Sequence, residues 1–116
     1  MESCEIPRWQ ILKSSLINLD PEDFKRHFRE TQSATLLDVR TDAEVKEQSL
    51  DGAVHLDYLA HGFLNRLDEM DRNGHYFIYC RTGRRSIRTG ILMHNWGFKN
   101  IVNMEGGLVA WDQVFG

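Results

Sequence analysis

The sequence predicts an α/β protein built on parallel strands. Short apolar runs alternate with amphipathic segments along the whole chain. Gly and Pro are spaced between them as punctuation and never gather into a linker. Each strand candidate is followed by a helix candidate, an order that implies right-handed crossovers and parallel pairing. A chain of 116 residues fits one domain, able to bury roughly 60–70% of its unfolded surface.

In order along the chain, Leu16 to Leu19 is a short strand. Asp20 N-caps the next helix, with Pro21 at its first position, and Phe24 and Phe28 share one face. Ala34 to Val39 reads as a buried strand, and Thr41 or Asp42 caps a short helix through Glu47. Ala53 to Leu56 is a strand after Gly52. Leu59, Phe63, Leu64 and Leu67 form a helical stripe over Leu59 to Met70. Asn73-Gly74 is a turn, and His75 to Tyr79 (HYFIY) is a strand. Ser86 to Trp96 is a helix closed by Gly97. Asn100 to Asn103 is the last strand and Gly107 to Phe115 the last helix. Residues 1–13 read as an N-terminal extension, in which Trp9 and its neighbours either pack across the sheet edge or stay loose. Residues 14–116 read as the domain.

Composition excludes several functions. Seventeen acidic and fourteen basic residues give a net charge of −3 with His neutral, which argues against a nucleic-acid partner. No run approaches the roughly 20 apolar residues of a membrane span. Met1 to Lys13 has neither the basic start nor the apolar run of a signal peptide, so the chain reads as cytoplasmic. Two cysteines build neither a disulfide framework nor a four-cysteine metal site. The five His show no ligand spacing, His61 among them, and there is no G-x-G-x-x-G. No metal or cofactor is expected. A disulfide between Cys4 and Cys80 is set aside.

One strand-to-helix junction stands out: Tyr79-Cys80-Arg81-Thr82-Gly83-Arg84-Arg85-Ser86. Ligands of parallel sheets bind beyond the carboxyl ends of strands, where this junction lies. Four of the fourteen basic residues, Arg81, Arg84, Arg85 and Arg88, fall within it or just after. A helix N-terminus favours an anion, and Gly83 lets successive N–H groups turn inward as a nest. Cysteines so placed can have pKa values lowered from about 8.5 to roughly 3.5–7.5. A lone Cys at a strand end is ordinarily a small buried hydrophobe. Arginines gathered against the helix dipole are better explained by an anionic ligand.

At these residues the chain resembles the single-domain rhodaneses, which are sulfurtransferases. CRTGRRS, after a hydrophobic strand and before a helix, is similar to their active-site loop. Leu36-Leu37-Asp38-Val39-Arg40, followed by Glu44, is similar to their first signature. Asn103-Met104-Glu105-Gly106-Gly107-Leu108-Val109-Ala110-Trp111 is similar to their C-terminal signature. The resemblance runs from about Leu16 to Phe115. It departs where the family commonly reads Gly-His-Ile-Pro-Gly-Ala: here Ser49 stands for the His and Asp51 for the Pro.

The resemblance implies a three-layer sandwich with a central, mostly parallel five-stranded sheet flanked by helices. It also implies two-step sulfur transfer. The Cys80 thiolate takes the outer sulfur of an anionic donor such as thiosulfate, holds it as a persulfide, and yields it to cyanide or to a small or protein thiol. The amides of Arg81, Thr82, Gly83, Arg84 and Arg85 would hold that sulfur. Arg81 and Arg84 would face the mouth, Arg85 would turn back onto Asp38 or Glu44, and Arg40 would add to a positive rim. For Asp38 and Arg40 a structural ion pair is the competing reading, and for Glu44 a solvated helix face. Gly106 and Gly107 read as a tight turn, and Trp111 as a supporting residue of core or pocket wall. Two other functions compete. A Cys-loop phosphatase or arsenate reductase would have five residues between Cys and Arg, where Cys80 and Arg85 have four. A non-catalytic or carrier module of the same fold would keep the loop without turnover.

Overall fold

The computed structural model describes residues 8–116, apart from the side chains of residues 9–11. Five strands and six helices alternate: α1 (Arg8–Lys13), β1 (Ile17–Leu19), α2 (Pro21–Glu30), β2 (Ala34–Asp38), α3 (Asp42–Glu47), β3 (Val54–His55), α4 (Phe63–Asp68), β4 (His75–Tyr79), α5 (Arg84–Asn95), β5 (Asn100–Met104) and α6 (Gly107–Phe115). The strands form one sheet in the order β1-β5-β4-β2-β3, and every pairing is parallel. No helix among the described residues is long and apolar enough to cross a membrane. Cys4 lies outside the described residues.

The period-two alternation of strand side chains sorts the core into two layers. Leu37, Tyr76, Ile78, Cys80 and Ile101 face one side, where α4 and α5 supply Phe63, Leu67 and Met93. Leu36, Phe77, Tyr79, Val102 and Met104 face the other, where α2 and α6 supply Phe24 and Leu108. Phe24 is almost fully buried and meets Phe77 edge-on at 5.4 Å, a burial that stabilises by roughly 1.5–3 kcal/mol. It is delivered by a well-started helix: the Asp20 carboxylate accepts the Asp23 N–H at 2.9 Å, with Pro21 in the first turn.

Three elements differ from the sequence reading. The Leu59 to Met70 helix shrinks to α4, leaving Leu59 and Leu64 exposed. The Asp57 carboxylate accepts the Leu59 N–H at 2.8 Å, and Gly62 takes φ +95° before the helix; these turn-formers override a stripe of helical period. Helix α5 starts at Arg84, two residues earlier than expected, because Gly83 is its N-cap. The third strand shortens to Val54–His55. Thr41 caps α3 in a reciprocal capping box with Glu44. Residues 8–13 form α1, and the Lys13 ammonium pairs with Glu105 beyond β5.

The chain leaves β2 toward β3 and leaves β4 toward β5, in opposite directions across the sheet. The carboxyl ends of β2 and β4 therefore flank the switch point where parallel sheets place ligands. Four of the five described buried polar residues, Asp38, Arg40, Ser86 and Asn103, lie near that end; the fifth, Thr89, is further along α5.

Candidate functional site

Cys80 follows the last residue of the central strand and is 2% exposed. Its burial is not apolar on every side. The chain turns through Arg81-Thr82-Gly83, with Gly83 at φ +102°, a conformation that costs glycine least. That turn aims backbone donors at the sulfur: the Gly83 N–H lies 3.1 Å from Sγ and the Ser86 N–H 3.4 Å. The N–H groups of Arg84 and Arg85, in the first turn of α5, have no intrahelical acceptor. The Cys80 side chain opens onto a cavity of about 280 Å³ lined by Glu44, Arg81, Thr82, Arg84, Arg85 and Arg88.

The loop carbonyls are held elsewhere. Helix α6 presents its first N–H groups to them: Leu108 donates to the Cys80 carbonyl at 2.9 Å and Val109 to the Arg81 carbonyl at 3.0 Å. Gly107 makes this approach possible. A Cβ there would sit 2.5 Å from the Arg81 oxygen and 2.6 Å from the Cys80 oxygen. The Gly106-Gly107 pair, both at positive φ, is a tight turn that docks a helix on the loop. The loop's acceptors thus face α6 while two of its donors face the sulfur.

The charges divide into a tied arginine and untied ones. Arg85 donates to Glu44 Oε1 at 2.5 Å; of the two partners expected for it, Asp38 or Glu44, the structure selects Glu44. The same oxygen accepts the Thr41 amide at 3.1 Å and its hydroxyl at 2.9 Å. Partial burial pushes the Glu44 carboxyl up. The hydrogen bonds from Thr41 and Arg85 outweigh it and hold the group below its ordinary range. Arg81, Arg84 and Arg88 are exposed and form no ion pair among the described residues, so their field is available to an incoming anion.

Arg40 corrects the sequence reading. It is 4% exposed and does not line the Cys80 cavity. Its guanidinium grips Asp38 at 2.8–3.2 Å and donates to the Glu44 and Gln48 carbonyls. Asp38, two residues earlier, captures it, giving the structural ion pair. Burial opposes the charge of Arg40, but the Asp38 carboxylate more than restores it and raises its pKa. The Tyr79 hydroxyl donates to Asp38 at 2.8 Å and accepts the Leu50 N–H at 3.1 Å. Burial pushes the Tyr79 phenol well above its ordinary value. These bonds, with Gln48 Nε2 to Asp112 at 2.8 Å, hold the turn in which Ser49 and Asp51 replace the commoner residues. Of the two readings for Trp111, core or pocket wall, the structure selects the core: it packs on the opposite face of the sheet against Phe115, at 4.4 Å between rings, and lines no wall of the Cys80 cavity.

Some residues beside the site carry no obvious sequence signal. A larger cavity, about 510 Å³, adjoins the first through Arg88 and is lined by Tyr58, His61, Phe63, Leu64 and Leu92 among others. Ser86 and Asn103 are fully buried and bonded to each other at 2.6 Å, with the Ser86 hydroxyl 3.6 Å from the sulfur. A polar Asn inside the otherwise apolar Ile101-Val102-Asn103-Met104 run was the available clue. Among the described residues no three His, Cys, Asp or Glu side chains gather as a metal site.

A buried sulfur facing amide donors, beneath unpaired arginines, is suited to nucleophilic attack on a small anion. Known proteins resemble the chain in sequence and in fold. The family described as rhodanese-like domain matches residues 20–113. A sulfurtransferase of Allochromatium vinosum is 29% identical over 93 residues, covering 80% of this chain and 85% of that protein. A putative sulfur carrier protein of Bacillus subtilis, YrkF, is 31% identical over 99 residues, covering 84% of this chain and 52% of that protein. The polysulfide-sulfur transferase homodimer of Wolinella succinogenes superposes with a TM-score of 0.72 at 26% identity, over 91% of this chain and 80% of its own.

Proposed function

Since the chain belongs to the rhodanese-like domain family, we propose that it is a sulfurtransferase working through a Cys80 persulfide, with no cofactor. The carrying observation is the pair of N–H groups directed at Sγ from Gly83 and Ser86. In the first half-reaction the Cys80 thiolate attacks the outer sulfur of thiosulfate. A new S–S bond forms, the S–S bond of the donor breaks, and its electron pair leaves with sulfite. In the second, cyanide or a thiolate attacks the outer sulfur of the persulfide. Thiocyanate or a new persulfide departs, and the Cys80 thiolate returns. Neither half-reaction has a net oxidation or needs a general base, which suits a cavity lined by arginines and Glu44 without His.

Arg81, Arg84 and Arg88 draw the donor in and offset the charge on departing sulfite. The loop amides hold the outer sulfur once it is attached. Four residues between Cys80 and Arg85 make a smaller ring of amides than the phosphatase loop, and Arg85 is tied to Glu44 rather than free to clamp a phosphoryl group. The similarity to the sulfur carrier protein favours one second reading, in which the persulfide is handed only to a protein partner. Intact-mass measurement after thiosulfate tests the proposal. A gain of one sulfur atom, removed by cyanide and absent from Cys80→Ser, is expected; a folded protein that takes up no sulfur from thiosulfate or polysulfide overturns it.

A further inference from the structure

The sulfur of Cys80 stands at one end of a chain of hydrogen bonds, buried at Ser86 and part-buried at Asn18, that runs to the β1 edge of the sheet. The Asn18 amide donates to the backbone carbonyls of Lys13, at 3.1 Å, and Leu16, at 3.2 Å. Both are pure acceptors, so the Asn18 Nδ2 must face them and its Oδ1 must face Asn103. The Asn103 Nδ2 donates to that oxygen at 3.0 Å, which turns the Asn103 Oδ1 toward Ser86. The Ser86 hydroxyl has one proton, and its shortest contact is to this Oδ1 at 2.6 Å. Its other acceptor, the Gly83 carbonyl, is longer at 3.1 Å and already takes the Ile87 N–H. What Ser86 then offers the sulfur 3.6 Å away is a lone pair. Two backbone carbonyls at the β1 edge thus set the direction of every donor up to Sγ.

We infer that Asn103, anchored by Asn18, is a positioning residue that keeps the Ser86 hydroxyl turned away from Cys80 and so restrains formation of the thiolate. The chain makes the sulfur a donor, while the Gly83 and Ser86 amides make it an acceptor. The two influences oppose one another at a single atom. A hydroxyl released from Asn103 can donate to a thiolate, and a donor to a charged acceptor makes a strong hydrogen bond. This inference rests on the reading of Cys80 as the reacting sulfur. The charged groups around it, Arg81, Arg84, Arg85, Arg88 and Glu44 lining the cavity, are retained in all the variants below. Neither β5 nor α6 adds a charge to that lining, and Asp38 on β2 is engaged by Arg40 and Tyr79.

The test is alkylation of Cys80 by iodoacetamide, which reads the thiolate whether or not sulfur is transferred. Cys4 is replaced by Ser in every protein so that one thiol reports. Asn103→Ala is expected to react about fivefold faster at pH 6.5, the size of one net hydrogen bond. At pH 10 the gain should be smaller than at pH 6.5, because alkali favours the thiolate whichever way the Ser86 hydroxyl points. Asn18→Ala provides a second route, since it removes only the anchor at a half-buried strand position and lets the Asn103 amide reverse. It should give a gain of the same sign and leave the residues touching the sulfur unchanged. Adding Ser86→Ala to either variant should abolish the gain. No gain in either single variant, an equal gain at both pH values, or a gain that survives Ser86→Ala overturns the inference. Failure of persulfide loading with these alkylation results intact would count against the sulfurtransferase reading alone.

Discussion

Gly107→Ala tests whether the docking of α6 on the loop shapes the chemistry. The new Cβ would lie 2.5 Å from the Arg81 carbonyl oxygen, where carbon–oxygen contacts ordinarily start at about 3.3 Å. Helix and loop must therefore separate by about 0.8 Å. That displacement breaks or weakens the bonds from Leu108 to Cys80 and from Val109 to Arg81, each worth about 0.5–1.5 kcal/mol. Holding alanine at φ +61° adds about 1–2 kcal/mol. The whole cost, about 2–5 kcal/mol, leaves a domain of ordinary stability mostly folded. The displaced loop no longer aims its amides at one point, and misplacement of about 1 Å can cost on the order of 100-fold in rate. Gly106→Ala is the control. It sits at φ +77°, and its new Cβ meets only Ala110, at 2.7 Å from that Cβ, with no atom of the loop within 4 Å. Urea melts give the stability of both variants, and single-turnover sulfite release from thiosulfate gives the chemistry. Gly107→Ala should lose about 100-fold in the loading step, and Gly106→Ala should keep most of its rate despite a comparable loss of stability. Loading at wild-type rate in Gly107→Ala, or equal losses in the two variants, would refute the reasoning.

Replacing Arg81 and Arg84 together by Ala should raise the KM for thiosulfate about tenfold and leave a neutral sulfur donor nearly unaffected, with the gap closing as salt is added; equal effects on both donors would remove the steering role. Glu44 has its pKa lowered in the folded state, so its contribution to stability is present above its unfolded value near 4.5 and is lost as pH falls through the folded value. Glu44→Gln should cost about 1 kcal/mol or less at pH 7, because both partners are part-exposed, and the difference between the two proteins should shrink steadily as melts are taken into acid; a gap that does not shrink would contradict this assignment.

What could be read in the sequence was local. The Asp20-Pro21 helix start, the apolar strand leading to Cys80 and the Gly83 turn each depend on residues a few positions apart, and each stands as expected. Where a side chain had several possible partners, local reading left the choice open. For Arg40 both the pocket rim and an ion pair with Asp38 were on offer, and Asp38, the Glu44 carbonyl and the Gln48 carbonyl close around it. Leu59 continues the helical stripe of α4, but Asp57 and Gly62 shape the stretch before that helix as turn. Ser86, Asn103 and Asn18 meet only because β1 pairs with β5 in a register that sets Asn18 opposite Asn103. No spacing along the chain announces a contact between residues that far apart.

The clasp between α6 and the Cys80 loop also sets an order of events during synthesis. Cys80 leaves the ribosome well before Gly107 is added, and until Leu108 and Val109 arrive, the loop carbonyls have no helix to hold them. The loop can therefore take its final shape only after α6 has been made and has folded back onto it.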